Sequence, residues 1–443
     1  MAYSKEDIIR VVREKDIEFI RLQFTDIFGQ MKTLAVTPPQ IEKAVNNQIM
    51  FDGSSIEGFT RIHESDQCLH PDLNSFAVLP GEVSRNKVAR MFCDVYNTDG
   101  TPFIGDPRGV LHRVLDKARA MGYDEINIGP EMEFFLFEMD ENGHATTRTK
   151  DESGYFDLAP LDKGGFTRGE ICLALERMGF EIEASHHECA VAQHEIDFKY
   201  ADALEGADKI MTFKLVAKAV ARKNSLHATF MPKPVYDIAG NGMHLNMSLF
   251  KNGKNVFHDP DGERGLSKTA YSFIAGLLEH VQGFTAITNP LVNSYKRLSA
   301  GHEAPRYRAW SASNRSALIR IPAARGQATR VELRSPDPSC NPYLAVAVCL
   351  AAGLDGIARG LTPPPEITGD IYAMDAAARA ARGIHTLPDT LKDALEELEK
   401  DRLILDVLGE HVARQYLKGK NKEWDEYQTR VSSWELERYL VIY

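Results

Sequence analysis

One short run, Gly129-Pro-Glu-Met-Glu-Phe-Phe-Leu-Phe137, limits what this chain can become more than any other stretch. Aromatic and aliphatic residues follow a Gly-Pro turn signal, which predicts a strand. Side chains alternate faces along a strand, so Glu131 and Glu133 point the same way, roughly 6–7 Å apart. Like charges on one side of an apolar strand repel each other and are costly to desolvate. Either the strand is an edge whose acid face is solvated, or divalent cations neutralise the pair.

The rest of the sequence bears on that choice. A chain of 443 residues has room for two or three domains with substantial cores. A net charge of −11 argues against nonspecific nucleic-acid binding, though local arginine clusters can still bind anions. The six cysteines, Cys68, Cys93, Cys172, Cys189, Cys340 and Cys349, include no Cys-x-x-Cys pair, which suits a reducing compartment. The N-terminus mixes acids and bases and reads as no signal peptide. The longest apolar run, about 343–354, falls short of the ~20 residues a bilayer span needs. A cytoplasmic protein without a membrane segment is expected.

Ser4 and Asp7 predict a capped helix through about Glu14. Alternation over Phe19–Thr25, a turn at Asp26-Ile-Phe-Gly29 and a return over Met31–Val36 predict a hairpin. A helix after Thr37-Pro-Pro-Gln40 and strands at 76–79 and 88–95 complete a small α+β unit over residues 1–100. The turn-rich stretch Asn97–Pro107 marks a boundary, and 108–443 forms the larger unit. There, helices near 108–118, 169–178, 207–224, 266–282 and 343–359 alternate with strand-like runs. Those runs lie near 181–184, 195–198, 228–230, 244–249, 318–321 and 329–333, before a mostly helical C-terminal third with a charged helix over 391–401.

No Gly-x-x-x-x-Gly-Lys-Ser/Thr and no Gly-x-Gly-x-x-Gly follows a strand. A nucleotide, if bound, must then be held by metal and arginine. Glu195 and Asp197 share one face of a strand; His244, Asn246 and Ser248 share a face of another. Glu332 sits between Arg330 and Arg334 on a third. Each is also what an exposed sheet face or a hydrogen-bonded core histidine would look like. Together, carboxylates on several short strands with one histidine suit Mg²⁺ or Mn²⁺ better than zinc. Arg297, Arg315, Arg320, Arg330 and Arg334 crowd into forty residues, and guanidinium forks fit phosphoryl and carboxylate oxygens. The combination points to metal-dependent phosphoryl transfer.

Along nearly its whole length the chain resembles bacterial type I glutamine synthetases. The motifs are Phe51-Asp-Gly-Ser-Ser-Ile-Glu-Gly-Phe59, Gly129-Pro-Glu-Met-Glu-Phe-Phe135, Glu183-Ala-Ser-His-His-Glu188 and Gln193-His-Glu-Ile-Asp197. They continue with Thr229-Phe-Met-Pro-Lys-Pro234, Gly242-Met-His244, Asn293-Ser-Tyr-Lys-Arg297, Asn314-Arg-Ser316 and Asn341-Pro-Tyr-Leu-Ala345. The resemblance implies an N-terminal β-grasp-like domain and a large α/β catalytic domain. The latter's curved antiparallel sheet forms part of a barrel shared between subunits of a homo-dodecamer of two hexameric rings. It implies two or more cations per subunit, one held by Glu133, Glu188 and Glu195, another by Glu131, His244 and Glu332. The implied substrates are L-glutamate, ammonium and ATP, joined through γ-glutamyl phosphate. By the same resemblance Asp52 of an adjacent subunit deprotonates ammonium, and Arg297 grips the substrate α-carboxylate. Glu303 closes the site, and Arg315 and Arg334 neutralise the transferring phosphoryl group. Gly240 and Ala239 fall in the glutamate-contacting loop; Glu183, Tyr200, Asn246, Ser248, Arg315, Arg320 and Arg330 fall at ATP contacts.

Two departures stand out. Ala239-Gly-Asn-Gly-Met-His244 lacks the family's usual amide at its first position, and the second motif histidine is Asn246. Ile384-His-Thr-Leu-Pro388 lacks the tyrosine of the adenylylated subgroup, so no such control is expected. Phe59-Thr-Arg61 resembles the feedback-inhibited subgroup, with Arg61 mediating glutamine inhibition; nitrogen-responsive transcription regulators are candidate partners, with the segment from Trp434 to Tyr439 as a docking element. The rivals are a paralogue ligating glutamate to another amine and a non-catalytic assembly on the same fold.

Overall fold

The computed structural model describes residues 3–59, 66–299, 301, 304–314 and 316–443. Arg61, Glu303 and Arg315 therefore lie outside the described residues. The first helix, Lys5–Glu14, starts with the expected capping box: the Ser4 hydroxyl accepts from the Asp7 amide at 3.0 Å, and the Asp7 carboxylate accepts from the Ser4 amide at 3.1 Å. Phe19–Thr25 and Met31–Val36 form the hairpin, whose turn is closed by Asp26 accepting from the Phe28 and Gln30 amides. The sheet runs Met31–Val36, Phe19–Thr25, Val88–Asn97, Asp66–Pro71, Ile49–Asp52, with one parallel pair between the second and third strands. Ile8 and Val12 of the first helix and Ile41, Ala44 and Val45 of the helix Ile41–Val45 share a core with Ile20, Leu22, Met91 and Val95 of the sheet. This is the small α+β unit that the alternation predicted, with the helix-on-sheet form of the β-grasp-like domain that the resemblance implied.

The larger unit is built on a ten-stranded sheet ordered Trp310–Ser311, Ile319–Arg320, Val331–Leu333, Met243–Lys251, Glu125–Glu138, Gln193–Phe198, Ile182–His187. The strand Glu125–Glu138 is central, antiparallel to Met243–Lys251 on one side and to Gln193–Phe198 on the other. The solvated-edge alternative for Glu131 and Glu133 is overturned, because partners far downstream cover both sides of the strand. Behind the sheet, Met132, Phe134, Ile196 and Met243 pack with Ile210, Phe213, Val216, Ala217 and Val220 of the helix Ala203–Lys223. With that face committed to an apolar core, the period-two alternation of a strand sends Glu131 and Glu133 to the other.

Two long helices, Lys268–Thr288 and Pro342–Arg359, form the other main core layer. They cross with Gly276 against Gly356; a Cβ on Gly276 would lie 2.1 Å from the Ala352 carbonyl oxygen, so only glycine permits this approach. The helix Pro342–Arg359 extends past the apolar run read from the sequence and is long and apolar enough to cross a membrane, but 78% of it is buried inside the protein. The charged helix ends at Lys400, and Asp401 instead caps the next helix, Arg402–Gln428, accepting from the Ile404 amide.

A buried arginine joins the two units. Arg108, on the helix Pro107–Ala120, donates to Asp94 and Asp72 of the first unit at 2.6 Å each and to Asp208 of the second at 3.0 Å. Tyr343 donates to the same Asp208 at 2.7 Å. Burial works against the Arg108 charge, but the surrounding carboxylates outweigh it and raise its pKa. Removing one partner of a buried ion pair costs about 3–5 kcal/mol because the other is left uncompensated. Arg108→Ala is accordingly expected to lower the unfolding free energy obtained from urea titration by about that amount, whereas Arg10→Ala, at an exposed pair, leaves it unchanged.

Candidate functional site

Cross-strand register assembles the acid cluster. His244 lies opposite Glu131 on one side of the central strand; Asp197 and Glu195 lie opposite Glu131 and Glu133 on the other. One strand further out on each flank, Glu332 pairs with Asn246 and His186 with Glu195. All of these side chains except Asn246 line a pocket of about 510 Å³ together with Arg297, Arg320 and Arg334. All six expected cation ligands, Glu131, Glu133, Glu188, Glu195, His244 and Glu332, line it, as do Ala239 and Gly240.

Two groups of donor atoms within 4.8 Å of one another stand out there: Glu131, His244 and Glu332, and His186, Glu188 and Glu195. The first is the trio expected from the sequence. In the second, His186 stands where Glu133 was expected. Glu133 instead accepts from the Gly242 amide at 2.6 Å and from Gln193 Nε2 at 3.1 Å. Gly242 makes that contact possible: a Cβ there would lie 2.6 Å from Arg297 Nη2 and 3.3 Å from Glu133 Oε1.

The electrostatics are those of unneutralised acids. Burial, reinforced by the charge of Glu131, pushes Asp197 up to about 7. Burial and the charges of Glu133 and Asp197 hold Glu195 far above the usual carboxylate range. Burial raises Glu133 as well, against the opposing charge of His244. Glu131 behaves oppositely: burial works to raise it, but the 2.8 Å hydrogen bond and charge of His244 outweigh burial and hold it at about 2. Burial would lower His244, and the same bond reverses this. Oxygen-rich donors that raise one another's pKa are a fitting set for hard dications, which would relieve the repulsion.

The arginines meet these acids. Arg320 Nε donates to Glu332 Oε2, and Arg334 Nε lies 3.4 Å from Glu332 Oε1. Arg334 Nη1 is buried and has no hydrogen-bond partner among the described residues, so it offers an unspent donor to an anion. Arg297 is anchored on the carbonyls of Ser335, Pro336 and Arg334 at 2.7–3.3 Å.

A second cleft of about 350 Å³ adjoins the acid pocket, and Glu131 and Asp197 line both. Glu183, Tyr200, Asn246, Ser248 and Arg330 line this cleft, as expected of nucleotide contacts, but Arg320 lines the acid pocket instead. Asn246 links the two: it accepts from Arg330 Nε at 3.0 Å and donates to Glu131 Oε1 at 3.0 Å. Asp52 lines neither; it is exposed in the first unit, capping the Ser54 amide at 2.8 Å. His186, Gln193 and Asp197 were not assigned from sequence, although Asp197 shares the alternating face of Glu195 and was legible on that signal.

Residues 104–439 match the family described as "Glutamine synthetase, catalytic domain", and residues 16–98 match "Glutamine synthetase, beta-Grasp domain". The glutamine synthetase of Clostridium saccharobutylicum is 59% identical over 441 residues, spanning 100% of this chain and 99% of that one. That of Thermus thermophilus is 57% identical over 446 residues and all of both chains. Among solved structures, a GmaS/ADP complex is similar with a TM-score of 0.89 and 35% identity, covering 98% of this chain and 99% of that one. A Plasmodium falciparum glutamine synthetase is similar at a TM-score of 0.87 and 26% identity, covering 99% of each.

The raised acids set a pH dependence. Unfolded, Asp197 loses its proton near 3.8; folded, it keeps it to about 7. The folded state therefore binds the extra proton between those values, and stability of the cation-free protein falls as pH rises through that window. His244, raised above 6.5, acts in the same sense higher up, its contribution being lost as pH climbs through its folded value. Calorimetric melting in EDTA from pH 5 to 7.5 is expected to show Tm falling with pH relative to Asp197→Asn, whose profile is flatter.

Proposed function

This chain belongs to the glutamine synthetase family, and from that premise we propose how its residues divide the synthesis of glutamine from glutamate and ammonia with ATP. The wall shared by the two cavities carries the reading: a nucleotide in the smaller cleft directs its terminal phosphate toward Glu131, where glutamate in the acid pocket meets it. The structurally similar GmaS is described as an ADP complex, which supports a nucleotide site on this fold.

We assign one cation to Glu131, His244 and Glu332 and a second to Glu133, Glu188 and Glu195, with His186 beside the second trio. Magnesium or manganese fits this oxygen-rich set. When bound, such ions draw charge from phosphoryl and carboxylate oxygens. In the first step the glutamate γ-carboxylate attacks the terminal phosphorus of ATP, releasing ADP and leaving γ-glutamyl phosphate. Arg334, with its unspent buried donor, and Arg315 offset charge on the transferring group. Arg297, held rigid by three carbonyls, grips the α-carboxylate, and Gly240 and Ala239 flank it. In the second step ammonium gives a proton to Asp52 of a neighbouring copy, and the ammonia attacks the acyl carbon and expels phosphate. Glu303 excludes water that would hydrolyse the acyl phosphate. Glu183, Tyr200, Asn246, Ser248 and Arg330 hold the nucleotide, with Arg320 at its phosphate end.

A reaction that borrows Asp52 from another copy needs an assembly, and we propose a cytoplasmic dodecamer of two hexameric rings. Arg61 is assigned to glutamine feedback, and the exposed C-terminal helix Ser433–Tyr439 is offered to nitrogen-responsive regulators.

The decisive assay measures phosphate release with ATP, glutamate and a panel of amines. Ammonium is expected to give the highest kcat/KM; a higher value for any other amine overturns the assignment. Glu131→Gln is expected to impair ATP use and Glu133→Gln glutamate use, each lowering kcat/KM by about 10²–10³-fold; equal losses for both substrates would refute the division. Arg61→Ala should relieve inhibition by glutamine at unchanged kcat.

A further inference from the structure

We propose that Asp151 and His187 are positioning residues that clamp the turn carrying Glu188 and thereby set the geometry of the Glu133–Glu188–Glu195 cation site. The proposal rests on that site as read above. Its ligands have unequal support: Glu133 and Glu195 lie on paired strands, but Glu188 lies in the turn between the strands Ile182–His187 and Gln193–Phe198. A ligand on a turn is held accurately only if something else fixes the turn.

Asp151 lies behind it. Asp151 is 6% exposed, and its carboxylate accepts four hydrogen bonds. Oδ1 receives His187 Nε2 at 2.9 Å, the Ser153 amide at 3.0 Å and the Ala192 amide at 3.1 Å; Oδ2 receives the Lys163 amide at 2.9 Å. The His187 ring, wholly buried, passes the restraint on, because its Nδ1 donates to the Glu188 carbonyl at 2.7 Å. Both ring nitrogens thus face acceptor oxygens, and the two ends of the turn, Glu188 and Ala192, are tied to one carboxylate. Ala192 sits at φ +64°, a conformation that a non-glycine residue holds only when its surroundings enforce it. The same turn leads into Gln193, which donates to Glu133. The clamp also ties down the segment bearing Tyr155, which lines the acid pocket; the neighbouring Phe156 amide donates to the His187 carbonyl at 3.1 Å.

Asp162, His187 and His194 present donor atoms within 4.8 Å of one another, but a third cation is not what they hold. Arg168 Nη1 donates to Asp162 Oδ2 and to His194 Nδ1 at 2.8 Å each, so a guanidinium supplies the positive charge. The cluster is scaffold for the pocket on the other side of the strand. Groups standing behind metal ligands in this way change affinity by about 10–100-fold when removed.

Manganese binding to the purified, chelator-treated full chain, followed by electron paramagnetic resonance, separates the outcomes. His187→Gln and Asp151→Asn are each expected to weaken one manganese site about 10–100-fold while the other keeps its affinity. Glu188→Gln should abolish the same site. If Glu188→Gln removes a site but His187→Gln and Asp151→Asn bind as wild type, the clamp is wrong and the cation assignment stands. If Glu188→Gln removes none, the cation assignment itself fails. If the clamp variants weaken both sites alike or lower Tm without selective loss, they serve general folding and the positioning role is refuted.

Discussion

Six carboxylates, those of Glu131, Glu133, Glu188, Glu195, Asp197 and Glu332, share one largely desolvated pocket, and the catalytic unit is arranged around holding them there. Alone, such a group would scatter toward solvent or take up protons, as the raised values of Glu195 and Asp197 indicate. Three kinds of restraint oppose this. Antiparallel register fixes the side chains on one face, and the apolar core behind the sheet denies them the other. Arg320 and Arg334 lean on Glu332, and His244 leans on Glu131. The remaining negative charge is left for dications and substrate, which is why the pocket is poised to receive them.

The buried Arg108 junction has the opposite character. There one guanidinium sits among three carboxylates, and each of its three nitrogens donates to one of them. The contrast separates structural from functional ionic clusters. At Arg108 the hydrogen bonds close on themselves, whereas Arg334 keeps a buried donor without a partner among the described residues.

Much of this was legible in the sequence because strands write their faces in alternation. Glu131 with Glu133, Glu195 with Asp197 and His244 with Asn246 were paired by period alone, and the capping box at Ser4 and the first hairpin lay where local signals put them. What could not be read was register between distant strands. Whether Glu125–Glu138 was an edge or the centre depended on partners about 60 and 115 residues downstream, and no local pattern names them. The same limit hid His186, which meets Glu195 only through strand pairing, and the role of Asp151, whose partners lie in three separate segments.

Asn246 shows what such sharing means for redesign. Its amide presents oxygen to Arg330 and nitrogen to Glu131, so the side chain must be uncharged and polar at both ends. Aspartate there would set another carboxylate beside Glu131 and Asp197, and leucine would strand both neighbours. The floor of the smaller cleft is thus fixed by the needs of the adjoining pocket. Freedom to alter what the smaller cleft accepts lies at the rim, around Tyr200 and Glu183, where a side chain answers to one chamber only.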